Sequence, residues 1–226
     1  DRSRGLGDVY KRQFLDLYDS FGVYVADDEL SKSYAKAYGV DTLYQYQHGG
    51  LPNIACEWPT SSYLNFTALT ALSYSIFAPS NTAINSFFDS FWKIGGYSSM
   101  QEVDALALNY FLYQFIYGGS MLFPEELGDD ELKNLAGSSL NINPAALNEK
   151  TMCVNGALYG MDEIKEPSTF ASVIGPLFQY KSARSFLYAL LGSSLFSSYV
   201  SDLSKYIVLV PTAEQFEASG IRTVYS

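Results

Sequence analysis

His48 is the only imidazole in the chain, so chemistry that needs histidine has one place to happen. Nucleophilic catalysis calls for a base within hydrogen-bond reach, and histidine is the usual one. His48 ends the stretch Tyr44-Gln45-Tyr46-Gln47-His48 and is followed by Gly49 and Gly50, a composition with loop character. The sequence therefore predicts a solvated loop histidine, not a catalytic base or a ligand. Sites assembled from several histidines are excluded. Two cysteines, Cys56 and Cys153, are too few for a zinc knuckle or a disulfide framework. They could form one cross-link, if the protein is exported and their Cα atoms come within bridging distance.

Carboxylates gather at Asp27–Glu29, at Glu125–Glu126 and at Asp129–Glu131. Paired acids serve glycoside hydrolysis, and acidic loops bind calcium. None of the three clusters has the spacing of an EF-hand loop. The expectation is solvated acidic faces or helix starts, with no catalytic residue, no metal site and no cofactor.

The aromatic set Tyr44, Tyr46, Trp58 and Tyr63 is a stronger candidate for binding. Aromatic faces stack on sugar rings or anchor a protein partner. The same side chains could instead cover a core beneath a long loop. Gly49, Gly50 and Pro52 support a loop in either case.

These side chains need a scaffold. The chain has 226 residues, 48% hydrophobic and 17% charged, which suits a packed core and one or two domains. Its 24 acids against 14 bases give a net charge of −10. That balance excludes the basic stripe that nucleic-acid binding requires. The best membrane candidate, Val103–Phe123, carries Asp104, Asn109, Gln114 and a Gly118-Gly119 break, so it predicts a helix followed by a strand, not a span.

An internal repeat organises the elements. Tyr74-Ser75-Ile76-Phe77-Ala78-Pro79-Ser80 and Tyr206-Ile207-Val208-Leu209-Val210-Pro211-Thr212 share their aromatic start, apolar run, proline and hydroxyl residue at a domain's spacing. Each copy predicts a buried strand ended by proline, then a helix capped by Ser80 or Thr212. Ile84, Phe87, Phe88 and Phe91 recur as one helix face, and Thr212 with Gln215 has capping-box spacing. Ser99 with Glu102 predicts another capping box, opening a helix through Val103, Leu106 and Ala107. Strands are predicted over Phe111–Tyr117, Leu140–Asn143, Thr151–Val154 and Ala157–Met161, with Asn155-Gly156 as a turn. A helix is predicted over Ser182–Val200. Helices clustered early and strands clustered late argue α+β. Strand Tyr74–Ala78 is expected inside its sheet, and Tyr206–Val210 without its full set of partners.

With these residues in place, the chain resembles the fasciclin family. Tyr74–Ala83 resembles the family's first signature and Asn155–Asp162 its second. Phe111–Phe115 resembles the strand between them that usually carries a Tyr-His pair, and Glu166–Phe178 resembles the linker of tandem surface proteins in Bacteroidetes-like bacteria. The resemblance runs from Phe14 onward, most weakly over Val25–Ser61. It implies a β-wedge of two sheets with several packed helices. It also implies a structural role for Tyr74, Phe77, Ala78, Pro79, Asn81, Asn155, Gly156, Asp162, Pro211 and Thr212, with Asp162 holding a buried turn. It adds Tyr113 and Gln114 to the ligand-binding candidates. Gln114 stands where the family has histidine, and Gln cannot titrate. Tyr159 and Met161 also depart from the second signature.

The implied organisation is one domain over 14–165 and an incomplete second copy over 166–226. Residues 1–13 resemble a translated sequencing adapter, a non-native tail to be set aside in reasoning about the fold. Without their four bases and two acids the net charge moves from −10 to −12. The implied function is non-catalytic adhesion or binding of extracellular protein or glycan, at the cell surface or in the periplasm. Membrane contact would come only through an N-terminal lipid anchor outside these residues. Two other expectations stand beside it: a glycan-binding lipoprotein serving an outer-membrane uptake system, and an acid-pair glycan hydrolase.

Overall fold

The structure is a computed structural model and describes residues 10–52, 73–129, 131–140, 142–153, 156–193, 195–200 and 205–221. Cys56, Trp58, Tyr63 and Asn155 lie outside the described residues, as do the expectations attached to them. Along the chain come α1 (Arg12–Asp19), β1 (Gly22–Ala26), a helical stretch α2 over 28–38 and β2 (Tyr44–His48). β3 (Tyr74–Pro79), α3 (Asn81–Ser90), α4 (Ala105–Tyr113), β4 (Ile116–Gly118), β5 (Leu147–Cys153) and β6 (Gly156–Met161) follow. The remaining helices are α5 (Ser168–Ala171), α6 (Gly175–Gln179), α7 (Arg184–Leu191), α8 (Phe196–Val200) and α9 (Ala213–Ala218). The chain is mixed helix and sheet, as the α+β pattern predicts. No described helix is long and apolar enough to cross a membrane.

The described residues gather into two compact units, one within Asp1–Thr82 and Leu112–Glu163, the other within Ala83–Phe111 and Ile164–Ser226. The first unit holds both sheets. One is the antiparallel pair β1–β2, and the other has the order β4-β3-β6-β5. β3 lies inside this second sheet. It pairs antiparallel with β4 and parallel with β6, from Tyr74 opposite Gly156 to Pro79 opposite Met161. Its burial follows from its composition. Ser75 to Pro79 are all buried, as expected of a short apolar run covered on both faces.

Two features lock β3 against β6. The Phe77 ring stacks on Tyr159 directly opposite, 5.3 Å between centroids, and the Tyr159 hydroxyl donates to the Leu122 carbonyl at 2.6 Å. At the other end a Cβ on Gly156 would stand 1.8 Å from the Tyr74 carbonyl oxygen, so only glycine lets the strands meet there. β5 and β6 pair antiparallel with Cys153 opposite Gly156, so Gly156 is a strand residue.

In the second unit an aromatic cluster forms the core. Phe87, Phe91, Trp92 and Phe111 pack with Phe170 and Phe178, with ring centroids as close as 4.9 Å between Phe87 and Phe111. The Trp92 indole N–H donates to the Phe178 carbonyl at 3.1 Å. Ile84, Phe87 and Phe91 are buried on the predicted face of α3. Asp104 is 2% exposed and pairs with the Arg184 guanidinium. It accepts bonds from the Tyr188 hydroxyl at 2.9 Å and the Leu106 N–H at 2.9 Å.

Several predicted elements differ. Phe111–Tyr113 ends a helix, and the strand is only Ile116–Gly118. Leu108, Phe111, Leu112 and Phe115 stand at i, i+3, i+4 and i+7 and are all buried, so the helical period outweighs aromatic strand propensity. Ser99 makes no side-chain cap; a short 3₁₀ turn covers Met100–Glu102, and α4 begins after Asp104, whose carboxylate is the cap. Leu140–Asn143 forms no described strand, only an isolated bridge beside it between Lys133 and Ser139. The Ser182–Val200 helix is split by Gly192 and Ser193. Tyr206–Val210 is not a strand: it lies outside both sheets, with Ile207 93% and Leu209 85% exposed. The capping box at Thr212 and Gln215 forms as predicted and starts α9.

Candidate functional site

The predicted aromatic residues Tyr44 and Tyr46 fall on β2 with His48, two residues apart, and so share one face of the strand. β1 supplies the partners: Tyr24 lies opposite Tyr46, and Gly22 opposite His48. Glycine at position 22 leaves room for the Tyr46 ring, whose hydroxyl would stand 1.8 Å from a Cβ there. The pair is clipped where residues 27–43 leave and rejoin it. The Asp27 N–H donates to the Leu43 carbonyl at 3.0 Å, and the Leu43 N–H donates to the Ser31 hydroxyl at 2.8 Å.

The rings on this face form a row. Tyr24 and Tyr46 are 5.0 Å apart, Tyr46 and His48 5.2 Å, and His48 and Tyr18 4.7 Å. Behind Tyr18 the row continues through Phe14 at 6.3 Å to Phe115 at 5.8 Å. Burial grades along it. Phe14, Tyr18 and His48 are buried, Tyr46 is half-buried, and Tyr24 and Tyr44 are 74% and 59% exposed. The exposed Tyr24 phenol thus stands on an aromatic stem rooted in the core, and Tyr44 is exposed two residues from Tyr46 on the same face. Such a platform offers stacking area at little cost in side-chain ordering.

His48 corrects the expectation of a solvated loop residue. It is 7% exposed at the end of β2, packed between Tyr18 and Tyr46, and its Nε2 donates to the Asp19 carboxylate at 3.4 Å. Alternation of Tyr44, Tyr46 and His48 carried the signal, and the glycines after it obscured it. Tyr18, Asp19 and Tyr24 were missed because their partners lie far along the chain.

Tyr113 and Gln114 are not on this face. The Tyr113 hydroxyl donates to the Gly50 carbonyl, and the Tyr18 hydroxyl to the Pro52 carbonyl, so the two phenols tie down the turn that follows β2. Burial pushes both phenols above the ordinary range, and neighbouring Tyr74 and Tyr113 add to the effect at Tyr18. The Gln114 carbonyl accepts from the Asn134 amide at 3.3 Å.

The acidic clusters form local turn bonds. Asp27 accepts from the Leu30 N–H at 2.8 Å and starts α2. Glu126 accepts from the Phe123 N–H, and Asp129 from the Glu131 N–H. Among the described residues no group of three or more His, Cys, Asp or Glu side chains could hold a metal ion. Of the signature residues, Asn81 accepts from the Gln13 N–H at 3.0 Å, so Gln13 is bonded to the first unit. Asp162, expected at a buried turn, is exposed on the wall of a cleft. Cys153 is exposed at the end of β5.

No family model matches the chain, and no curated protein matches it.

Proposed function

We propose that this chain is a non-catalytic, exported binding module of the fasciclin type, which holds an extracellular protein or glycan on the aromatic face of β1 and β2. The observation that carries the binding reading is the exposed pair Tyr24 and Tyr44, backed by the Tyr46, His48 and Tyr18 row. Exposed rings with a buried base fit the surface of a sugar ring or the apolar anchor of a protein partner. The fasciclin reading draws on the register of β3 and β6, which sets the two signature segments side by side from Tyr74 and Gly156 to Pro79 and Met161. In this reading the four-stranded sheet is part of the family's β-wedge, and Tyr206–Thr212 opens the second tandem copy.

The test is a binding screen of the chain against immobilised glycans and extracellular matrix proteins. Tyr24→Ala and Tyr44→Ala should each weaken the best hit by about tenfold, or ~1.4 kcal/mol, with unchanged thermal unfolding. Hits confined to glycans would assign the module to glycan capture beside an uptake system. Hits that ignore both substitutions, or turnover of a bound glycan, would overturn the reading.

A further inference from the structure

A cleft of about 450 Å³ opens in the first unit, away from the aromatic face. It lies where the parallel strands β3 and β6 end. Ser80 and Thr82 come from the end of β3 and the start of α3, Asp162 follows β6, and Asn148 and Glu149 come from β5. β5 is bulged there. Leu147 pairs with Met161 and Glu149 with Gly160, which leaves Asn148 as the extra residue. Bulges re-aim side chains next to sites.

The side chain of Lys11 lines this cleft beside Tyr10, with its ammonium at the Glu149 end. Its side chain is only 12% exposed, and its ammonium pairs with the Glu149 carboxylate. It rests on bare backbone: a Cβ on Gly160 would stand 2.8 Å from the Lys11 Nζ and Cε and 2.2 Å from the Asn148 Oδ1. Glycine here keeps open the space that the lysine tip fills. Lys11 comes from residues 1–13, which the sequence sets apart, while Ser80, Thr82, Asn148, Glu149, Gly160 and Asp162 belong to the rest of the chain.

We propose that the Glu149 end of this cleft is a receptor for a primary alkylammonium, held in cis by Lys11. The lining fits that ligand. Glu149 and Asp162 supply negative charge, and the Asn148 amide oxygen and the Ser80 and Thr82 hydroxyls can accept from an ammonium's three donors. The open space beside the lysine tip lies in the range of small-ligand sites and leaves room for the rest of a ligand. The chain's net charge of −10 favours approach of a cation. The site is independent of the aromatic face, so either can fail without the other.

The test is calorimetric titration of the full chain carrying Lys11→Ala with Nα-acetyl-lysine-N-methylamide. The variant should bind this probe at least about tenfold tighter than the unaltered chain, and adding Glu149→Gln should abolish that gain. The norleucine analogue, which has the stem without the charge, should not bind. Butylamine binding as well as the lysine probe would assign the site to free amines, and weaker binding would assign it to a lysine in a peptide. A second measurement needs no Lys11 variant. In the unaltered chain Lys11 should be acylated at least about tenfold more slowly than Lys93, whose side chain is 63% exposed, and Glu149→Gln should remove the protection. Equal binding of the norleucine probe, no binding by the folded variant, or acylation of Lys11 as fast as Lys93 would overturn the proposal.

Discussion

Single residues decide how the first unit closes, and Gly156 is the clearest case. A methyl group there meets the Tyr74 carbonyl oxygen at 1.8 Å, a backbone atom held by the register of β3 and β6. Gly156→Ala should therefore cost about 3 kcal/mol, because backbone must move in a packed sheet. Gly128→Ala meets nothing within 4 Å and should change stability by less than about 0.5 kcal/mol. Urea unfolding of the two variants compares them directly, and similar midpoints would refute the close-approach argument. The glycine at position 156 was visible in the sequence as a turn signal, but its second role was not, since Tyr74 lies far away along the chain. His48 shows the same limit from the other side. The period-two spacing of Tyr44, Tyr46 and His48 was legible, while the ring that buries His48 belongs to Tyr18 on another element.

At the scale of elements, the parts written in local chemistry were legible. Proline ends β3, the apolar face of α3 is buried as spaced, and the Thr212 capping box forms. The errors came where two local signals competed. Around Phe111 the aromatic composition suggests a strand, but burial of Leu108, Phe111, Leu112 and Phe115 follows the helical period. Ser99 and Glu102 have capping-box spacing, yet Asp104 starts α4, because its carboxylate also meets Arg184 and Tyr188 from a distant helix. Tertiary partners therefore chose the cap. Asp104→Ala removes the cap and leaves the Arg184 guanidinium without its carboxylate, for an expected loss of about 3 kcal/mol. Asp104→Asn keeps an acceptor for the Leu106 N–H and should cost about half as much. Thermal unfolding ranks the two variants, and equal losses would mean that the cap contributes nothing beyond the charge.

For the whole molecule, the density of buried phenols sets the alkaline limit of stability. Tyr18, Tyr113 and Tyr159 in the first unit and Tyr188 in the second are all pushed above the ordinary phenol range, and burial is the leading cause in each. The Glu125 and Glu126 carboxylates add to the effect at Tyr159, and the hydrogen bond to Asp104 adds to it at Tyr188. An unfolded chain releases these protons near the ordinary value of about 10. The folded chain holds them to higher pH, so above that value the folded state binds more protons than the unfolded state. Stability is then fully present below about pH 10 and falls as pH rises toward the raised folded values. Phenolate absorbance and circular dichroism followed together should show a late fraction of tyrosines that ionise only as structure is lost. Tyr18→Phe should shift that loss to higher pH, since it removes the group with the largest elevation and leaves the ring packed against His48 and Phe14. Complete ionisation of all phenols below pH 10, with structure intact, would rule out this account.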